Sequence, residues 1–233
     1  MYYFGGSFAK IEFNKNGFVA KTHQKYLGDA TPRGKDKAGK DKFENDLIDL
    51  TELDKKMIAS VKNRIKIDYL KHIEDEKPAE KWIQGRMINA NHDFIDSEFQ
   101  FNQDPDIENL RIDLIKFSDD VLSFVELKGI TDNRLRNDDK RNANVPEIIE
   151  QMEKYKRFII KYEADIRDYY QRLLEIKMNL GLISTKKVFF ELKMKPRLII
   201  VDTYQKTTKG REKRIFEIKK LLDFHDIDYY ITK

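Results

Sequence analysis

The chain contains no cysteine in 233 residues, which excludes disulfide scaffolds, thiolate zinc sites and cysteine nucleophiles. Histidine is scarce. His23, His72, His92 and His225 are scattered without ligand spacing, which argues against a zinc site and against histidine-based catalysis. No apolar run approaches the ~18 residues of a membrane span, and Met1-Tyr2-Tyr3-Phe4-Gly5-Gly6 lacks the basic start and apolar stretch of a signal peptide. The expectation is a cytoplasmic protein with no membrane partner. Charge of one sign is lacking too. With 45 Lys and Arg against 41 Asp and Glu, a net +4, binding to a polyanion would depend on local patches rather than on the global field.

What is abundant is charge of both kinds beside a full complement of apolar residues. Charged residues make up 37% of the chain, while 40% hydrophobic content and 12% aromatics exclude wholesale disorder. The length suffices for one good core with a small appended subdomain.

Two apolar-rich runs, Leu110 to Phe117 and Val121 to Lys128, are separated only by Ser118, Asp119 and Asp120. They predict an antiparallel hairpin. With Asp119 and Asp120 as the turn, Phe117 sits opposite Leu122 and Asp113 opposite Glu126. Directly opposed residues have Cβ atoms about 5 Å apart, and like charges there destabilise a sheet. Two carboxylates held so close amid Ile, Leu, Phe and Val call for a compensating cation. Lys128, two residues beyond Glu126, shares its strand face, while Leu127 points to the other layer.

These residue types suit phosphodiester hydrolysis. Hard carboxylate oxygens hold Mg²⁺, which keeps several waters and completes its shell with substrate phosphate. Asp113 and Glu126 are the candidate metal ligands, with the Leu127 carbonyl as a third, and Mn²⁺ is the expected substitute for Mg²⁺. Lys128 serves as general base or as a fixed positive charge beside the attacking water. Two neighbouring carboxylates favour its ammonium form and so the electrostatic role. The tripeptide pattern alone is not diagnostic, since Asp/Glu-x-Lys recurs at Asp54, Asp138, Glu175, Glu191 and Glu217. The copy at Glu126 is set apart by an acidic residue on a preceding hairpin partner and by Gln151-Met152-Glu153-Lys154-Tyr155 downstream.

That downstream segment reads as a helix. Asn144 is a candidate cap, Pro146 suits the first turn, and Ile148, Met152, Tyr155, Ile159 and Tyr162 form an apolar stripe at helical spacing. Gln151 and Tyr155, four apart, share a side. Upstream, Pro78 opens a helix to about Ala90, with Glu80 on the face of Ile83, Gln84 and Met87.

The order of these motifs resembles the PD-(D/E)xK nuclease superfamily, in particular its RecB-like branch, where a Gln-x-x-x-Tyr helix follows the catalytic strand. The phrase from Glu80-Lys81-Trp82-Ile83 through Arg111-Ile112-Asp113-Leu114-Ile115 to Glu126-Leu127-Lys128 is also similar to the catalytic domain of NucS-type endonucleases. The resemblance covers about residues 74 to 160, and Ile112 stands where the superfamily's name has proline. It implies a restriction-endonuclease-like fold and a Mg²⁺-dependent deoxyribonuclease acting in repair, recombination or defence against foreign DNA. Asp113, Glu126 and Lys128 would form its catalytic core, with Gln151 and Tyr155 orienting the site and contacting the substrate phosphate. Glu80 would reach the metal or the groups around it, with Glu74 and Glu76 as alternatives. DNA would be the partner, and a protein partner or homo-oligomer is left open. The alternative is a catalytically inactive nucleic-acid-binding or assembly module on the same fold.

Each residue also has an ordinary structural explanation. Asp113 could pair with Arg111 or a nearby lysine, Glu126 and Lys128 could lie on the solvated face of an edge strand, Gln151 could be surface, and Tyr155 simply core.

The expected organisation is α/β, a mixed β-sheet flanked by helices. Residues 1–73 would hold a β-hairpin around Asn14-Lys15-Asn16-Gly17, a basic loop from Thr31 to Lys42 and a helical stretch from Leu47 to about Asp75. Residues 74–233 would form the nuclease-like domain. Its C-terminal part reads as a helix ended by Gly181, strands at Val188 to Leu192 and Arg197 to Thr203, a helix from Glu212 to Phe224 and a last strand from Ile227 to Thr232, the last two strands lying parallel. Asp202, at a strand end, is an extra acid only if it faces Asp113.

Overall fold

Asp119 and Asp120 have backbone φ angles of 53° and 61°, so the chain reverses through a two-residue turn of the mirror-image type whose twist matches flanking strands. The computed structural model describes residues 2–3, 6–15, 17–26, 35, 47–50, 54–70, 80–107, 109–136, 145–183 and 190–233. The chain forms two units, Met1–Asn89 and Ala90–Lys233.

In the first unit, β1 (Tyr2–Tyr3) pairs with β2 (Gly6–Ser7), and β3 (Lys10–Asn14) pairs antiparallel with β4 (Gly17–His23) in the register Phe13 to Phe18. Gly17, at φ 111°, takes a conformation that side chains resist. β5 (Leu47–Leu50) adds to β4, with Ala20 beside Leu50. The helical expectation for Leu47 onward is therefore corrected at its start: four residues of mainly apolar character fit strand or helix equally by periodicity, and pairing to β4 decides it. The helix α1 (Lys55–Leu70) follows, with Val61 and Ile65 buried beside Phe8, Ala9 and Tyr26. α2 (Glu80–Ala90) closes the unit with Trp82, Ile83 and Gln84 buried. All of the expected basic loop except Lys35 lies outside the described residues, as do Pro78, Glu74 and Glu76.

The second unit is α/β, a mixed sheet flanked by helices. β6 (Phe94–Phe101), β7 (Leu110–Ser118) and β8 (Val121–Gly129) form an antiparallel meander. α3 (Glu147–Lys161) and α4 (Glu163–Asn179) follow, then β9 (Glu191–Leu192), β10 (Arg197–Val201), α5 (Lys209–Phe224) and β11 (Asp228–Thr232). The strand order is β11-β10-β8-β7-β6, and β9 also pairs with β8. β10 lies parallel to both β8 and β11, the addition expected of a strand–helix–strand unit. β8 is thus central, with every residue from Phe124 to Lys128 buried.

Leu122 and Phe124 alternate onto the face covered by α3 and α4, where Phe124 meets Phe158 and Tyr170 edge-on and Phe99 packs on all three. Of the strand expected from Val188, β9 keeps Glu191–Leu192, residues 188 and 189 lying outside the described residues, and β10 ends at Val201 rather than Thr203; the starts of α3 and α5 also differ from expectation. Pro146 precedes α3 as its cap position and makes no side-chain cap hydrogen bond, while Asn144 lies outside the described residues. α5 begins three residues earlier than expected, because Thr208 caps it by accepting the Arg211 amide at 3.3 Å. Among the described residues no helix is long and apolar enough to cross a membrane.

Candidate active site

β7 and β8 pair from Ser118/Val121 through Phe117/Leu122 to Leu114/Val125. The next positions across are Asp113 and Glu126. There the Asp113 carboxylate enters the gap, its Oδ2 accepting the Leu127 amide at 2.9 Å. A side chain so held, partway along β7, is fixed by backbone rather than by its own rotamer preference.

On the other edge of β8, Leu198 of β10 lies beside Glu126 and Ile200 beside Lys128, so both site residues belong to an interior strand. This overturns the explanation in which they form a solvated edge. Glu126 is 2% exposed and Lys128 0%. A buried lysine needs counter-charge and acceptors, and three oxygens supply them. The Lys128 ammonium donates to Glu126 Oε1 and to the Leu127 carbonyl, the latter at 2.8 Å, and stands 3.8 Å from Asp113 Oδ2. The three groups that sequence pattern proposed as metal ligands are the three that converge on this ammonium.

The Gln-x-x-x-Tyr pair arrives from α3. Its core stripe, Ile148, Met152, Tyr155 and Ile159, lays one helix face on the sheet and brings Gln151 and Tyr155 over Glu126. Gln151 Nε2 donates to Glu126 Oε1 at 2.7 Å and to the Tyr155 hydroxyl at 2.6 Å. The Tyr155 hydroxyl contacts Glu126 Oε2 at 2.9 Å and the Arg111 carbonyl. With one proton to donate, it divides between the carboxylate and the backbone of β7. Gln151 Oε1 is buried with no hydrogen-bond partner among the described residues, a free acceptor beside the carboxylates. Tyr155 is core, but its hydroxyl end is built into the site.

Burial is the main force on the Glu126 carboxyl and, with the Asp113 charge, pushes it up to about 7, against the opposing pull of Lys128 and Tyr155. Burial, together with Glu126, also pushes the Tyr155 phenol well above its ordinary range. Downstream, Asp132 caps the turn Asn133–Leu135 by accepting the Arg134 amide at 2.8 Å and pairs with the Arg134 guanidinium at 2.7 Å. Despite its burial, the pull of Arg134 and then Lys128 holds its carboxyl below the usual range.

The remaining sequence candidates are placed as follows by element. Glu80 heads α2, half-buried, in the first unit, whereas the five clustered residues belong to the second. Arg111 pairs with Glu98 rather than with Asp113. Asp202 turns the chain after β10 by accepting the Tyr204 amide at 3.0 Å. Glu191, the rival of Glu126, is exposed on β9. The Arg111 carbonyl was missed, because a backbone acceptor carries no mark in a sequence.

The arrangement defines an α/β protein with a buried carboxylate–lysine centre on its central strand, clamped by a glutamine and a tyrosine from one helix. No family model, curated protein or solved structure matches the chain, so the chemistry of the centre rests on its own geometry.

Proposed function

We propose that the protein is a metal-dependent nuclease that hydrolyses phosphodiester bonds of DNA, resembling the RecB-like branch of the PD-(D/E)xK superfamily, with a role in repair, recombination or defence against foreign DNA. The observation that carries this reading is the convergence of Asp113 Oδ2, Glu126 Oε1 and the Leu127 carbonyl on one cationic group, the Lys128 ammonium.

The donor set fits a hard divalent cation: two carboxylates and a peptide oxygen, within reach of one positive charge. Among the described residues no group of three or more His, Asp or Glu side chains suits a metal, so the backbone carbonyl is needed as the third ligand. Asp113, Glu126 and Leu127 would hold Mg²⁺ or Mn²⁺, which would supply Lewis acidity and an activated water. Lys128, buried between the carboxylates, offers a fixed positive charge for a pentacovalent phosphate. Tyr155 and Gln151 keep Glu126 aligned by hydrogen bonds to each of its oxygens. A carboxyl near 7 is held partly protonated at neutral pH and must ionise to accept a cation.

The test incubates the purified protein and its Lys128→Ala variant with circular and linear DNA, single and double stranded, with Mg²⁺ or EDTA. Cleavage by the wild type alone, and only with metal, is expected. Intact DNA throughout would reject the enzyme. A second reading has one observation in its favour: Glu126 is almost wholly buried and already engaged by Lys128, Gln151 and Tyr155, as in a nucleic-acid-binding module that has kept the fold. Intact DNA with a salt-sensitive mobility shift that persists in EDTA would establish it.

A further inference from the structure

A glutamate with positive backbone φ inside a strand is costly, because its Cβ crowds the neighbouring carbonyl oxygen and it lacks the freedom of glycine. Glu98 of β6 is such a residue, at φ 59°. Outliers of this kind persist where the surrounding structure holds them, and they concentrate at functional sites.

The side chains of β6 show what the outlier does. Asp96 faces α4, its Oδ2 accepting the Tyr170 hydroxyl at 3.2 Å. Phe99 faces the same layer, its ring 5.6 Å from that of Phe158 and 6.4 Å from that of Tyr170. Residues three apart on a regular strand point to opposite faces, so β6 changes phase between these two, where Glu98 lies. β7 makes the matching change. Residues opposed across an antiparallel pair share a face, so Ile112 goes with Phe99, and Ile115 goes with Asp96 and Phe124. Ile112 and Ile115 are again three apart on one face.

The change falls at Asp113. The ladder to β6 passes from Ser97/Leu114 to Phe99/Ile112, which sets Glu98 across from Asp113, and the ladder to β8 ends at Leu114/Val125. The Leu127 amide, which a regular ladder would give to a backbone carbonyl of β7, is taken there by the Asp113 carboxylate at 2.9 Å. Glu98 is held through its side chain. Its carboxylate, only 5% exposed, pairs with the Arg111 guanidinium, and the Arg111 carbonyl accepts the Tyr155 hydroxyl that also contacts Glu126. A return of Glu98 to extended backbone would part a nearly buried carboxylate from its arginine, a costly separation.

We propose that Glu98 is a positioning residue for Asp113: its left-handed backbone, latched by Arg111, imposes the paired phase change of β6 and β7 that brings the Asp113 carboxylate to Leu127 and Lys128. It acts through the sheet rather than on a substrate. The effect on cleavage rests on the nuclease reading, whereas the placement of Asp113 does not.

The test measures hydrogen exchange at the Leu127 amide of isotope-labelled protein, relative to the other amides of β8, beside Mg²⁺-dependent DNA cleavage. Glu98→Val puts a β-branched residue where positive φ is least tolerated. It is expected to speed Leu127 exchange about ten-fold relative to the other β8 amides and to lower kcat by about as much. Glu98→Gly adopts the same φ freely and should recover most of both, a rescue that a merely stabilising side chain would not show. Loss of both in Glu98→Gly as in Glu98→Val would overturn the backbone role. Unchanged relative exchange at Leu127 in Glu98→Val would overturn the proposal even if that variant melts lower. Should Glu98→Val fail to fold, Arg111→Gln carries the comparison: it strands the Glu98 carboxylate and should speed Leu127 exchange, and adding Glu98→Gly should reverse this. Equal exchange in the wild type, Arg111→Gln and the double variant would again overturn it. The expected exchange pattern in a protein whose wild type leaves DNA intact would keep Glu98 as the positioning residue of Asp113 and reject the nuclease.

Discussion

The Tyr155 hydroxyl lies 2.9 Å from Glu126 Oε2 and also reaches the carbonyl of Arg111, so one helical side chain spans β7 and β8 at the point where their ladder stops. Tyr155→Phe removes this bridge and leaves a buried backbone oxygen without its donor. The expected cost is about 1–2 kcal/mol in denaturant unfolding. The lost hydrogen bond also favoured ionised Glu126, so the acid limb of metal-dependent cleavage should move to higher pH. An unchanged pH profile would remove Tyr155 from the electrostatics of the site.

Glu126 links stability to pH with a definite sign. Its carboxyl stands at about 7 in the fold against 4.5 unperturbed, so the native state holds the proton more tightly than the unfolded chain. The contribution is complete below the lower value and is lost as pH rises through the upper one. The loss is on the order of 3 kcal/mol by pH ~8. Glu126→Gln cannot ionise. Relative to the wild type it should therefore gain stability between pH ~5 and ~8, measured by urea denaturation across that range. Parallel curves would contradict the raised carboxyl.

The Asp119-Asp120 turn holds both residues at positive φ, a conformation that Asn and Gly adopt at lower cost and without adjacent like charges. Asp119→Asn combined with Asp120→Gly should stabilise the protein by about 1 kcal/mol, a rise of roughly 2–4 °C in melting temperature. Since the turn sets the register, cleavage should be unaffected. A lower melting temperature would show that an aspartate side chain contributes a contact the turn needs.

The hairpin was legible because its two runs differ so clearly from the turn between them, and Phe117 opposite Leu122 follows directly from counting. What counting could not show is that the ladder gives way at Asp113, where a side chain takes the place of a backbone acceptor. The α3 stripe was legible for a similar reason: Ile148, Met152, Tyr155 and Ile159 repeat at the helical period. Leu47 to Leu50 was misassigned because a short apolar run has no period of its own, and its partners on β4 are 24–30 residues away in sequence.

The most direct measurement is a calorimetric titration of Mn²⁺ into the wild type, Asp113→Asn and Glu126→Gln near pH 6.5, repeated in buffers of different ionisation enthalpy. Asp113 and Glu126 acting together on a divalent cation predict saturable binding by the wild type with release of a fraction of a proton from Glu126, and loss of binding in both variants. Binding that survives either substitution, or a wild type that takes up no metal, would contradict the carboxylate pair as a metal centre.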